Sequence, residues 1–198
     1  MAQRTDGATR RAQIIDVAAG LFRERGYHET SLETLAAAVG IRKASLYYHF
    51  PSKDAILLEI HEEMIEHLLG RARQRTGSPT ERLRGVMRDL VELMELFPGR
   101  LQIFFEHYRE LPSAQRVAST AKRDEYHAIL VGILRDGVAA GEFAVDDVEL
   151  TALSILGSCN WTYQWFRPGG RLSAAEVADG FLRVLLGGIA ASGQPSTS

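Results

Sequence analysis

"TSLETLAAAVGIRKASLYYHFPSK", residues 30–53, is the stretch on which the reading of this chain turns. Thr30 with Glu33 three residues on has the form of a capping box: the hydroxyl takes a first-turn amide while the carboxylate reaches back to the cap. Leu32, Leu35, Ala36 and Val39 then make the buried stripe of a short helix that Gly40 ends. "IRKASLYYHF" follows as a second short helix, anchored by Ile41, Leu46 and Phe50. Pro51 breaks it, and Ser52 caps a longer helix running from about Lys53 to Leu69. Two short helices joined at a glycine, the second rich in polar and basic groups, form a helix-turn-helix, whose second helix enters the major groove of DNA. Arg42, Lys43, Ser45, Tyr47, Tyr48 and His49 point away from the apolar anchors. Arginine and lysine suit guanine edges or phosphates, hydroxyls suit either, and a tyrosine OH donates to a phosphate. Lys53 falls in the first turn of the next helix, where free amides already favour an anion. On spacing alone, a solvated basic turn with its aromatics tucked into a small core stays open.

Outward from this stretch the pattern is helical throughout. Ile14, Ala18, Leu21 and Phe22 recur at i, i+4, i+7 and i+8 in a helix that stops near Gly26. "RARQRTGSPT", residues 71–80, reads as a connection, and further helices are predicted at about 80–97, 100–110, 113–140, 146–166 and 173–190. Pro98-Gly99, Pro112, Gly141 and "RPGG" at 167–170 punctuate them, and Ser173 with Glu176 forms a second capping box. Alternating strand patterns are almost absent. The predicted fold class is all-α with about nine helices. A three-helix helix-turn-helix domain spans 1–53, a ligand-binding and dimerisation body spans 54–191, and a disordered tail spans 192–198.

Net charge is −2, unhelpful for nucleic acid taken alone, but residues 1–53 carry eight Lys/Arg against five Asp/Glu and residues 54–198 fifteen against twenty. Only a local basic face is needed to displace counterions from DNA. An architectural DNA protein would need a broad basic surface, which the acidic body lacks. A single cysteine, Cys159, excludes an internal disulfide framework and suits a small buried apolar position. The longest apolar run, "AILVGIL" at 128–134, is far short of the roughly 20 residues of a membrane helix. Together with the lack of a signal pattern this predicts a cytoplasmic protein without membrane association.

Residues 11–60 resemble the DNA-binding domain of the TetR family. That family's pattern is an apolar-Ala-Leu-Phe helix, a Gly-x-x-x-Thr step, an Ala-rich second helix and Gly-Val-Ser-x-x-x-Leu-Tyr-x-His-Phe-x-Ser-Lys. This chain supplies "AAGLFRERGYHETSLETLAAAVGIRKASLYYHFPSK", gap-free over 18–53. The resemblance implies phosphate contacts from Thr30, Tyr48 and Lys53, with Lys43, Ser45, Tyr47 and His49 facing the groove or its wall. Arg42 departs from the family, standing where a helix-capping serine is usual. Arginine cannot cap an N-terminus, so this residue is expected on the backbone or on DNA. The resemblance further implies a homodimer through the last two helices, binding a palindromic double-stranded operator. Leu150, Leu153 and Leu156, then Phe181, Val184 and Leu185, supply apolar stripes, and Gly157, Gly187 and Gly188 permit close approach.

The stretch "NWTYQWFRPGGRLSAAEV", residues 160–177, places Trp161 and Trp165 at i, i+4 ahead of Arg167 and a Pro-Gly-Gly ending. Aromatics at this spacing are commonly core or interface. The ending also resembles the acyl-CoA-responsive TetR-like repressors of actinobacterial lipid and steroid catabolism, which implies an acyl-CoA thioester as effector and no cofactor. A thioester needs an apolar tunnel and cationic partners for its phosphates. Leu90, Leu93, Met94, Phe97, Ile103, Phe104, Phe105 and Tyr108 with Trp161 are the tunnel candidates and Arg71, Arg73, Arg75, Arg100 and Arg167 the phosphate candidates, with Trp161, Trp165 and Arg167 foremost as ligand-binding residues. A TetR-like repressor answering a drug or a free fatty acid is the alternative. An enzyme reading fails on spacing. The histidines of "HEEMIEH", residues 61–67, are six apart, and at about 100° per residue they diverge where a zinc site needs i, i+4. No catalytic or metal-ligating residue is predicted.

Overall fold

The structure, a computed structural model, describes residues 2–187. Gly188 and the expected tail 192–198 lie outside the described residues. In chain order the helices are α1 (Ala2–Arg25), α2 (Leu32–Val39), α3 (Lys43–His49), α4 (Lys53–Arg73), α5 (Pro79–Leu96), α6 (Arg100–Glu106), α7 (Ser113–Ala139), α8 (Val148–Asn160), α9 (Thr162–Trp165) and α10 (Ala174–Gly187). A 3₁₀ turn, Tyr108–Glu110, follows α6. Among the described residues there are nine helices of seven residues or more, besides the four-residue α9, and no strand. No helix of the described residues is long and apolar enough to cross a membrane.

The described residues pack as two compact units, 2–70 with 96–126 and 71–95 with 127–187. The first unit thus joins most of α4, and α6, to the three N-terminal helices. Arg100 of α6 is buried and donates to Asp16 of α1 (Nη2–Oδ1 2.5 Å) and Glu63 of α4 (Nη1–Oε2 2.5 Å), binding three helices of the first unit together.

The core of the first unit begins as the periodicity demands. Ile14, Ala18 and Phe22 of α1 pack in the same core as Leu35, Ala36 and Val39 of α2 and Leu46 and Phe50 around α3, all buried. Each large side chain removed from water contributes roughly 1.5–3 kcal/mol. Gly40 closes α2 in the left-handed region (φ 75°), its amide meeting the carbonyls of Ala36 and Ala37. The next amide, Ile41, bonds back to Ala36 at 3.0 Å. This closing motif takes up Ile41, so α3 starts two residues later than the hydrophobic pattern alone suggested.

Three further element boundaries differ from expectation. The N-cap of α2 is Ser31, whose Oγ accepts from the Thr34 amide at 3.1 Å. Thr30 is buried instead, and its hydroxyl donates to the Gly26 carbonyl at 2.9 Å. Residues 71–73 continue α4, shortening the expected connection. The helix expected over 146–166 breaks at Trp161, where the buried Thr162 hydroxyl donates back to the Cys159 carbonyl at 2.5 Å and bends the chain. Ser52, by contrast, caps α4 as predicted, its Oγ 3.1 Å from the Ala55 amide. The second capping box also forms: the Ser173 amide donates to Glu176 at 2.8 Å and the Glu176 amide to Ser173 Oγ at 3.3 Å.

In the second unit Leu83, Val86, Leu90, Val91, Leu130, Leu134, Ile155, Phe166, Val177 and Leu182 form the core. Cys159 lies in it, and burial pushes its thiol up to about 12, which leaves it an unreactive apolar residue at neutral pH.

Candidate functional site

The residues flanking α3 decide how the helix is presented. Arg42 stands at the N-cap in extended conformation and makes no side-chain cap; only its carbonyl serves the helix, accepting from the amides of Ser45 (2.9 Å) and Leu46 (3.2 Å). Its guanidinium is left exposed. At the other end Arg11 of α1 lies over the buried Phe50 ring, 4.0 Å from its centroid. It donates to the last carbonyl of α3, that of His49, at 2.6 Å and grips both carboxylate oxygens of Glu59 at 2.5 Å. A bidentate guanidinium fixes direction as well as distance, so α3 is held by its apolar anchors and by this clamp.

On the outer side Arg42, Lys43, Ser45, Tyr47 and Tyr48 are exposed and His49 is half-buried. Tyr48 is 87% and Tyr47 45% accessible, unusual for side chains that are mostly apolar. Lys43 pairs with Glu33 of α2, each drawing the other towards its charged form. Both are in water, so the pair is screened and lysine is free to exchange its carboxylate for a phosphate. α3 and its N-cap Arg42 thus present two basic residues, two phenols, a serine and an imidazole within eight residues, the inventory that reads base edges and binds phosphates.

Two of the residues expected on phosphates have partners within the protein. Thr30 is buried and its hydroxyl donates to the Gly26 carbonyl. Lys53 has three ammonium donors, and they go to the carbonyls of Tyr27 (2.7 Å), His28 (3.2 Å) and Thr30 (3.3 Å). Its charge also lies 4.5 Å from the Tyr27 ring. Lys53 is a clamp on the loop between α1 and α2. Tyr27 is held in turn by a bond to Asp54, and burial followed by that carboxylate raises its phenol far above the ordinary value.

The role of Lys53 is testable. Lys53→Met is expected to cost about 1–2 kcal/mol of stability, a fall of roughly 2–8 °C in Tm. The slope of operator affinity against salt should stay as in the wild type. A slope reduced by about two units, one for each protomer of the dimer, with Tm unchanged, would place Lys53 on the phosphates.

The effector candidates are scattered over different environments. In the second unit Leu93 is buried in the core, while Trp161 (61%) and Trp165 (46%) are exposed. Trp161 separates α8 from α9 but keeps right-handed helical angles (φ −62°, ψ −13°), and its amide donates to the Gly157 carbonyl at 3.0 Å. Trp165 packs edge-on to Phe181 with centroids 6.3 Å apart. It lines a shallow groove with Arg167, Gly170, Arg171 and Leu172. Arg167 is exposed and bonds its neighbour's carbonyl, Phe166 O, at 3.0 Å. Of the other arginines, Arg71 and Arg75 pair with the buried Asp89, and Arg100 is the three-helix link of the first unit, so these serve the fold.

In the first unit Phe97 contacts His67 (centroids 5.6 Å), and Phe104 and Tyr108 surround a group that the sequence reading weighed only as a zinc ligand. His61 of α4 is fully buried, 4.9 Å from Phe104 and 6.0 Å from Tyr108, with neither ring nitrogen bonded. Burial, reinforced by the charges of Arg123 and His107, pulls its pKa down to about 3, so it is a neutral imidazole. Arg123 of α7 is wedged 4.4 Å from both the Phe104 and Tyr108 rings. One turn before it, Ser119 is fully buried with an unbonded hydroxyl. The signal was available: His61 sits on the stripe of Leu57, Ile60, Met64 and Leu68, an ionisable residue where the pattern calls for an apolar one. No group of acidic, histidine or cysteine side chains able to hold a metal occurs among the described residues.

Comparison with known proteins agrees with this geometry. Residues 14–60 match the family described as "Bacterial regulatory proteins, tetR family", and residues 76–189 match "Tetracyclin repressor-like, C-terminal domain". The transcriptional repressor KstR2 of Mycolicibacterium smegmatis is 33% identical over 190 residues, covering 93% of each chain. The structure of the ketosteroid transcriptional regulator KstR2 of Mycobacterium tuberculosis superimposes with a TM-score of 0.84 at 30% identity, covering 90% of this chain and 94% of that one. AibR in complex with isovaleryl coenzyme A and operator DNA gives 0.76 at 31% identity, over 88% and 97% of the two chains. With both halves matched and relatives aligned over nearly their whole length, the chain belongs to the TetR family of bacterial transcriptional regulators, which are DNA-binding transcription factors and not enzymes.

Proposed function

We propose that this TetR-type repressor binds a palindromic operator as a homodimer and is released by an acyl-CoA thioester. The observation that carries the effector is the likeness, over most of both chains, to AibR bound to isovaleryl coenzyme A and operator DNA. KstR2, a repressor whose solved form is described as a ketosteroid regulator, points to the same area of metabolism. Chemistry on this chain is in keeping with it. The groove of Trp165, Arg167 and Arg171 in the second unit offers an aromatic face for a purine and two guanidinium groups for phosphates. In this reading Trp161, Trp165 and Arg167 serve the nucleotide end.

The dimer rests on a separate observation. Leu150 and Leu153 of α8 and Val184, Leu185 and Leu186 of α10 are all exposed, an apolar surface on two helices that pack together. Surfaces of this kind mark protein interfaces. A Cβ built on Gly157 or Gly187 meets nothing, so the backbone there is open to close approach by a second helix pair. In the two-fold arrangement the two α3 helices would address two half-sites of the operator.

Thermal melting against a panel of CoA thioesters, their free acids and CoA tests the effector. A ligand at a hundred times its Kd stabilises by about 2.7 kcal/mol, a rise of roughly 5–10 °C for a chain of this size. The expected result is a rise with one thioester class, absent with CoA alone, and a parallel loss of operator binding. A rise produced by an unrelated hydrophobe and by no thioester would replace acyl-CoA with that ligand class.

A further inference from the structure

Arg123 is a half-buried cation with no anion among the described residues. Its hydrogen bond is a long one to the Phe104 carbonyl (3.3 Å), and its Nε–H is buried and unbonded. Aromatic faces at 4.4 Å on both sides hold the guanidinium in place and shield it from water, but they do not neutralise it. A charge in this setting is costly unless paired, and native proteins rarely leave one so. Within the same cluster are two more unmet groups: the fully buried His61, with a free donor and a free acceptor, and the fully buried Ser119 hydroxyl. Ser119 and Arg123 are four residues apart on α7 and share a helix face; His61 and Arg123 both lie against the rings of Phe104 and Tyr108.

We propose that Arg123, His61 and Ser119 form a binding site for a ligand carboxylate within the first unit. Two carboxylate oxygens offer about four lone-pair sites. The guanidinium supplies the charge, and the imidazole N–H and the hydroxyl supply two further donors, so that one carboxylate satisfies all three orphaned groups together. A neutral carbonyl would meet the hydrogen bonds and leave the cation unpaired. The aromatic walls, Phe104 and Tyr108, favour an organic acid over an inorganic anion.

The position gives the site leverage on DNA binding. Tyr108 opens the 3₁₀ turn whose other end, Glu110, lies 2.9 Å from His28, while the adjoining His107 lies 5.9 Å from the Tyr27 ring. His28 and Tyr27 belong to the loop that Lys53 clamps ahead of α2. A carboxylate that shifts Tyr108 therefore acts two contacts away from the helix-turn-helix. The inference does not depend on the acyl-CoA reading, because its probes carry no CoA.

The test compares octanoate with octanamide and methyl octanoate, by calorimetry and thermal melting, on the wild type and on Arg123→Met and His61→Leu. Octanoate is expected to bind the wild type roughly tenfold or more tightly than either neutral analogue. Arg123→Met should abolish that preference while melting at the wild-type temperature or above, since an apolar chain replaces an unpaired half-buried charge. His61→Leu should weaken octanoate roughly tenfold and keep the fold, because both ring nitrogens are idle without ligand. A loss of stability in Arg123→Met with no octanoate binding to the wild type would mean that the groups are satisfied by buried water and serve structure, and the proposal falls. Equal binding of octanoate and octanamide, or octanoate binding unchanged in Arg123→Met, overturns it equally.

Discussion

The double variant Tyr47→Ala/Tyr48→Ala is expected to bind operator about thirtyfold to a hundredfold more weakly than the wild type, with its Tm unchanged. The size follows from four side chains in the dimer, two on each α3, that each contribute about 0.5–0.7 kcal/mol when a phenol donates to a phosphate or packs on a sugar. The constancy of Tm follows from exposure. Tyr48 is 87% accessible, Tyr47 is 45% accessible, and the helix is anchored by Leu46 and Phe50, which the variant leaves alone. Because tyrosine is neutral, the salt dependence of affinity should also hold, which separates this variant from any loss of a basic phosphate contact. Fluorescence anisotropy on an operator fragment at several salt concentrations, beside a melting curve, gives all three quantities. Unchanged affinity would remove α3 from the DNA interface. A Tm that fell with affinity would mean that the phenols support the fold.

Leu153→Glu should turn the protein into a monomer and lower operator affinity at least about a hundredfold. In a two-fold interface each substitution occurs twice, so one change puts two carboxylates into an apolar contact. The monomer itself should survive, since Leu153 is 58% exposed and lies outside the core of Ala152, Ile155 and Cys159. The penalty on DNA arises because two linked half-sites reinforce each other through effective concentration, and an unlinked helix-turn-helix loses that gain. Sedimentation analysis and operator titration on the same sample check both parts. A variant that stays dimeric would move the interface away from the α8–α10 face.

The helix-turn-helix was legible because each of its devices is local. A glycine that must turn left, a proline that cannot continue a helix, a serine cap and an i, i+3, i+4 apolar stripe act over a few residues, so spacing alone reveals them. The same locality explains why the partners of Thr30 and Lys53 within the protein were not foreseen. Either side chain could bind a phosphate by its chemistry. The curl of the loop after Gly26 brings the carbonyls of Tyr27, His28 and Thr30 to one ammonium group and turns the Thr30 hydroxyl inward.

Long-range pairing was not readable. Arg71, Arg75 and Arg100 resembled free cations for phosphates, but Asp89, Asp16 and Glu63 claim them from other helices, the last two from 84 and 37 residues away. The opposite happened at Arg123. Nothing in its neighbourhood along the chain marks it out, and its interest comes from finding no acid once α4, α6 and α7 have closed round it.

The amino-acid sequence by itself determined the all-helical architecture, the reading helix with its exposed basic and phenolic residues, and the family. These depend on periodicity, caps and glycine conformations, which are properties of neighbouring residues. Only the tertiary structure decided which charges are spent and which are left over, because the desolvation of an ion and the presence of its partner are set by residues far apart in the chain and close in space.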